Sequence, residues 1–160
     1  MNKRIKKKKE KLHNKYLCER YPFLIPRNRW TDEICKDYDW TELDAMDPGW
    51  RKAFGKEMME ELREDLIKCN YLDKFRILQI KEKYGGLRFY TGRVPVESNA
   101  YEIIKKYEDM SYGICTECGR PGHQIDDGWI WTMCDSCYKQ MKNRQEQRYK
   151  KINYLKKADV

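Results

Sequence analysis

Four cysteines constrain this chain more than any other feature: Cys115 with Cys118, then Cys134 with Cys137, the two pairs separated by fifteen residues. A C-x-x-C turn presents two thiols side by side, and two such turns can bring four thiolates to one ion. The spacer is long enough for a short hairpin, with Trp129, Ile130, Trp131 and Thr132 supplying the strand that returns to the second pair. Thiolate-only tetrahedral coordination suits zinc, one ion per chain. Four cysteines close the coordination shell and leave no position for a reactive water, so the metal is expected to stabilise the fold. His123 lies inside the spacer and is read as a loop residue, since four thiolates already suffice.

The chain holds seven cysteines, an odd number. The opening "MNKRIKKKKEKLHNKYL" has no apolar stretch after its charges, so no secretory signal is expected, and a reducing cytoplasm favours metal or free thiol over disulfide. Cys18, Cys35 and Cys69 lack the paired spacing and are read as buried free thiols. No window approaches the roughly 18 apolar residues of a membrane span, so no membrane partner is expected.

With 160 residues, 40% of them hydrophobic, the chain suits one compact domain. Its net charge of +8 is unevenly spread. Residues 1–16 carry eight Lys or Arg against Glu10 alone, and residues 138–160 carry eight against Glu146 and Asp159. The middle, with 18 basic and 23 acidic residues, is net acidic. Basic ends on an acidic body fit either an external polyanion or self-complementarity, within one chain or in a homo-oligomer. In "TDEICKDYDWTELDAMD" seven carboxylates face only Lys36, and that run could receive a basic tail.

The expected organisation is a basic arm over 1–16, an α+β body over 17–112, a zinc-ribbon-like module over 113–138, and a basic helix or tail over 139–160. The arm reads as solvated and helical at best, because its like charges repel and it lacks an apolar stripe. In "MDPGWRKAFGKEMMEELREDLIKCN", Asp47 suits an N-cap and Pro48 the first helical position. Trp50, Phe54, Met58, Leu62 and Leu66 recur every four residues as a core-facing stripe, leaving Glu60, Glu61, Arg63, Glu64 and Asp65 to water. Ser98 or Asn99 is expected to cap a helix with Tyr101, Ile104, Tyr107 and Met110 inward. A last helix carries Tyr138, Met141, Tyr149, Ile152 and Leu155 at loose spacing.

"FRILQIKEKYGGLRFYTG" reads as a β-hairpin. With Gly85 and Gly86 as the loop, Tyr84 faces Leu87, and Glu82 lands beside Phe89; a longer loop or a bulge would change the pairing. One face then presents Ile80, Tyr84, Leu87 and Phe89, and the other Lys81, Lys83, Arg88 and Tyr90. That second face offers cations for phosphate oxygens and a ring for a base, the combination of single-strand binders, and the glycines would let a ligand approach the backbone. The alternative is a soluble face that protects an edge strand.

Only two histidines are present, His13 and His123, and no P-loop, nucleophile-elbow or H-E-x-x-H pattern occurs. A binding protein is therefore expected rather than an enzyme.

The segments "KEKYGGLRFY", "YEDMSYGICTECGRPG" and "GWIWTMCDSC" resemble small, mostly uncharacterised proteins of tailed bacteriophages and prophages, over about Trp50 to Cys137. The resemblance implies a phage-encoded accessory protein acting in the cytoplasm of an infected bacterium. The expected function is binding of nucleic acid or a nucleotide through Lys81, Lys83, Arg88, Tyr90 and the basic ends. The rival is a phage inhibitor that serves host takeover or anti-defence. It would bind a host bacterial protein through Trp30, Trp40 or the acidic run, or sequester a nucleotide signal.

Overall fold

The computed structural model describes residues 2–28 and 30–158, the side chains of 153–158, Leu155 among them, excepted. The fold is α+β. Helix α1 (Lys3–Arg20) precedes 3-10 turns at Pro22–Leu24 and Glu42–Ala45, then α2 (Pro48–Trp50), a π-helical turn (Arg51–Gly55) and α3 (Lys56–Lys68). Strands β1 (Ile77–Lys83) and β2 (Gly86–Thr91), α4 (Ala100–Ser111), β3 (His123–Asp126), β4 (Ile130–Met133) and α5 (Asp135–Ala158) complete it. The four strands form two separate two-stranded antiparallel sheets.

The four-residue stripe builds the core: Trp50, Phe54, Met58, Leu62 and Leu66 are all buried. A strict spacing of four drifts by about 40° per step on a 3.6-residue helix, and the π turn at Arg51–Gly55 takes up one extra residue within that run. Against the stripe pack Phe23, Leu24, Phe75, Ile80, Leu87, Phe89, Ile104 and Tyr107. The Trp50 indole, buried with them, donates to the carbonyls of Ser111 (3.2 Å) and Ile114 (2.9 Å).

Two expectations about these helices are corrected. Asp65 is 6% exposed, and its carboxylate accepts from Ser98 Oγ (2.6 Å), Asn99 N (3.0 Å) and Asn99 Nδ2 (3.0 Å). It anchors the start of α4 across the core boundary, and Ser98 Oγ in turn accepts from Ala100 N. On α4 itself Tyr101 and Met110 are exposed; the inward stripe is Ala100, Ile104, Tyr107 and Ser111, at steps of four, three and four.

The basic arm is a regular helix rather than a loose tail. Lys7 and Lys11 reach Asp39 at 3.3 and 3.1 Å, Lys11 also donates to the carbonyl of Asp37, and Asn14 donates to that of Tyr38. The acidic run does receive the basic segment, and its carboxylates supply the countercharge that the arm lacks by itself. Near its end Cys18 is buried and Leu17 packs on the core.

The first hairpin turns one residue earlier than expected. Ile80 pairs with Phe89, Lys81 with Arg88, Glu82 with Leu87 and Lys83 with Gly86, which leaves Tyr84 and Gly85 as the loop, both at positive φ (54° and 74°). The faces sort as expected because the register moved by an even number. Tyr84 is the exception, leaving the apolar face for the exposed turn, and a bulge between Ile77 and Gln79 turns Leu78 out to solvent. Glu82 escapes the apolar face by turning its carboxylate back to accept from Gly85 N (2.5 Å).

Candidate metal centre and the hairpin beside it

The β3–β4 hairpin and the first turn of α5 bring the four cysteines together. Cys115 and Cys118 lie on the turn that follows α4, Cys134 follows β4, and Cys137 sits in the first turn of α5. Their sulfurs all lie within 4.8 Å of one another, with Cys118 and Cys134 Sγ 3.8 Å apart. The set can hold one metal ion, and the donors are soft thiolates that suit a closed structural shell. Cys115 and Cys137 are buried with Met133, and Ile125, Trp131, Tyr138 and Met141 cover them. His123, read as a loop residue, instead opens β3 opposite Met133; it is exposed, 3.4 Å from Asp135, and stands outside the cluster.

Sequence reasoning missed Arg120. Its guanidinium lies 3.5 Å (Nε) from Cys118 Sγ and 3.9 Å (Nη2) from Cys134 Sγ. The Arg120 contact brings the Cys118 thiol down to about 6, whereas burial pushes that of Cys137 up to about 12. A cation there offsets the negative charge that four thiolates keep even around a divalent ion. The position two residues after Cys118 was the only hint available.

A second anchor is Asp127, which accepts from Trp131 Nε1 (3.2 Å), Tyr138 Oη (2.7 Å) and Lys142 Nζ (2.6 Å). Lys142 and Tyr138 hold its carboxyl down at about 2. The carboxylate thereby ties the β3–β4 tip to the start of α5.

The metal module is clasped to the body at two points, each built on glycine. Gly49 N donates to the carbonyl of Thr116 at 2.6 Å, and a Cβ on Gly49 would collide with the Cys115 carbonyl. Thr132 Oγ1 donates to the Gly85 carbonyl at 2.5 Å, while Gln124 Nε2 donates to that of Tyr84. A Cβ on Gly86 would meet the Tyr112 ring at 2.5 Å. These glycines admit the chain's own neighbours. The expectation that they open the backbone to a ligand is corrected, because Thr132 and Tyr112 occupy that space.

The four residues named for ligand binding differ in freedom. Lys81 stands over the Tyr90 ring at 5.1 Å, and Lys83 over the Tyr84 ring at 5.1 Å; Lys83, Tyr84 and Tyr90 are exposed and Lys81 is half-buried. Arg88 is half-buried, donates to Tyr112 Oη (2.6 Å) and the Leu87 carbonyl (2.7 Å), and is committed to the fold. Of the other cysteines, Cys18 is buried as expected, while Cys35 and Cys69 are half-buried. Trp30 is 95% exposed and Trp40 43%. No helix among the described residues is long and apolar enough to cross a membrane.

The chain matches no family model, no curated protein and no solved structure.

Proposed function

We propose that the chain is a non-enzymatic, zinc-stabilised accessory protein of a tailed phage that binds single-stranded nucleic acid in the bacterial cytoplasm. Zinc–sulfur bonds of about 2.3 Å require tetrahedral edges of about 3.8 Å, and the Cys118–Cys134 separation of 3.8 Å supports that ion. The phage assignment rests on the sequence resemblance alone.

The observation that carries nucleic-acid binding is the outer face of the first hairpin. There two lysines stand beside two exposed tyrosine rings, a pairing of phosphate donors with stacking surfaces. The basic ends α1 and α5 add sequence-independent attraction. Arg88 supports the strand rather than the ligand.

Fluorescence anisotropy of a short labelled strand, titrated with salt on zinc-loaded protein, tests this. Affinity should fall steeply with salt, and Lys81→Ala with Lys83→Ala should flatten the slope by about 1.4, at about 0.7 per phosphate contact. Tyr90→Ala should cost about 1–3 kcal/mol of binding. Salt-insensitive binding, or variants that bind like the parent, would exclude this face.

Trp30 supports a second reading. A tryptophan left 95% in water is the residue type that anchors protein interfaces, and it fits the host-protein inhibitor. That reading expects a stoichiometric partner, retained after nuclease treatment and lost with Trp30→Ala.

A further inference from the structure

A cleft of about 960 Å³ runs between α1 and the body, at the start of α3. Its size matches sites that enclose small organic ligands, about 300–1,000 Å³. The exposed Tyr16 ring and the half-buried Leu17 provide its apolar side, with Leu43 and Met59 buried beneath them, and Lys9, His13 and Lys56 line it from the two walls.

The charges in the cleft divide into used and unused. Glu10 pairs with Lys6 (3.7 Å), Glu60 with Arg20 (2.6 Å), and Asp44 with Arg51. Each lining carboxylate therefore has a cation of its own. Lys9 and Lys56, one on each wall, are exposed and have no carboxylate partner among the described residues. What remains is a net positive cleft with an apolar side, the complement of a phosphate joined to a planar ring.

We infer that this cleft binds a free nucleoside phosphate, Lys9 and Lys56 holding the phosphate and the Tyr16 and Leu17 side taking the base. The site is separate from the hairpin face and does not depend on it. It also gives the basic N-terminal helix a role beyond electrostatic attraction, since α1 forms one wall.

The test is a titration of zinc-loaded, full-length protein with methyl-labelled methionine, at near-physiological salt, using ADP, adenosine and inorganic phosphate as probes. Met59 reports on the cleft and Met133 on the metal module. The expected result is a saturable shift at Met59 with Met133 still, and ADP bound at least about ten-fold more tightly than adenosine or phosphate. Lys9→Ala with Lys56→Ala, both at exposed positions, should weaken ADP about ten-fold or more. No saturable shift at Met59, or equal affinity in the double variant, would overturn the inference. Lys81→Ala with Lys83→Ala should leave the ADP titration unchanged. Its loss there would assign ADP to the hairpin and overturn the cleft site, so failure of one site is distinguishable from failure of the other.

Discussion

Asp47 occupies the N-cap position of α2, where a carboxylate is usually welcome, yet its side chain makes no capping hydrogen bond. Burial, reinforced by the carboxylates of Glu82 and Glu117, raises its acid group to about 6. Asp65 shows what separates a costly acid from a useful one: burial raises its pKa too, but the bonds from Ser98 and Asn99 outweigh that and hold it below the usual carboxylate range. The linkage for Asp47 follows from the direction of its shift. Between the ordinary value of 3.8 and about 6, the folded chain holds a proton that the unfolded chain has released, so stability falls as pH rises through that window. Above about 6 the full cost is present, about 1–2 kcal/mol once solvent screening of a half-exposed group is allowed for. Asp47→Asn should therefore be more stable than the parent at pH 7.5 and lose most of that advantage by pH 4.5, read from urea midpoints at the two pH values. A difference that does not move with pH would show that Asp47 is ionised without penalty.

At the scale of elements, the first hairpin is shaped to fit both the end of α4 and the metal module, and Gly86 is where the first of these contacts can be measured. Gly86 is not at positive φ; its glycine is required because the Tyr112 ring stands where a Cβ would go. Gly86→Ala should cost about 1–3 kcal/mol through this overlap, and in a Tyr112→Ala background that cost should largely vanish. A cost independent of Tyr112 would return the cause to backbone conformation. The same residues show where sequence patterns stop being informative. The buried stripe from Trp50 to Leu66 and the cysteine pairs were legible because local spacing determines which side chains share a face or a turn. The charge segregation also foretold the meeting of α1 with Asp39. The turn itself was not legible to the residue: "YGG" offers two adjacent glycines, and the choice between them depends on Tyr112 and Thr132, which arrive from distant elements. Asp65 was hidden for the same reason, within an exposed-looking acidic segment whose partner Ser98 lies 33 residues on.

For the whole molecule, the question is whether the metal stabilises one end or the entire fold. A four-cysteine module that merely hung from the body would melt alone when stripped of its ion, and the core around Trp50 would survive. The contacts argue otherwise. The turn bearing Cys115 is bonded to Gly49 at the head of the core helix, the Trp50 indole donates to Ser111 and Ile114 immediately before that cysteine, and Thr132 grips the turn of the first hairpin. Opening the module would break the Gly49–Thr116, Thr132–Gly85 and Trp50–Ile114 bonds, and a buried donor or acceptor left without a partner costs about 1–3 kcal/mol. Metal binding energy is also folding energy wherever the site does not exist in the unfolded chain. Chelation should therefore lower the stability of the hydrophobic core along with that of the module, giving one cooperative thermal transition at a reduced temperature. Differential scanning calorimetry before and after chelator treatment, with metal content measured alongside, distinguishes the two cases. Two separated transitions, with the upper one at the original temperature, would show that the core stands without the metal and that the glycine clasps carry little energy.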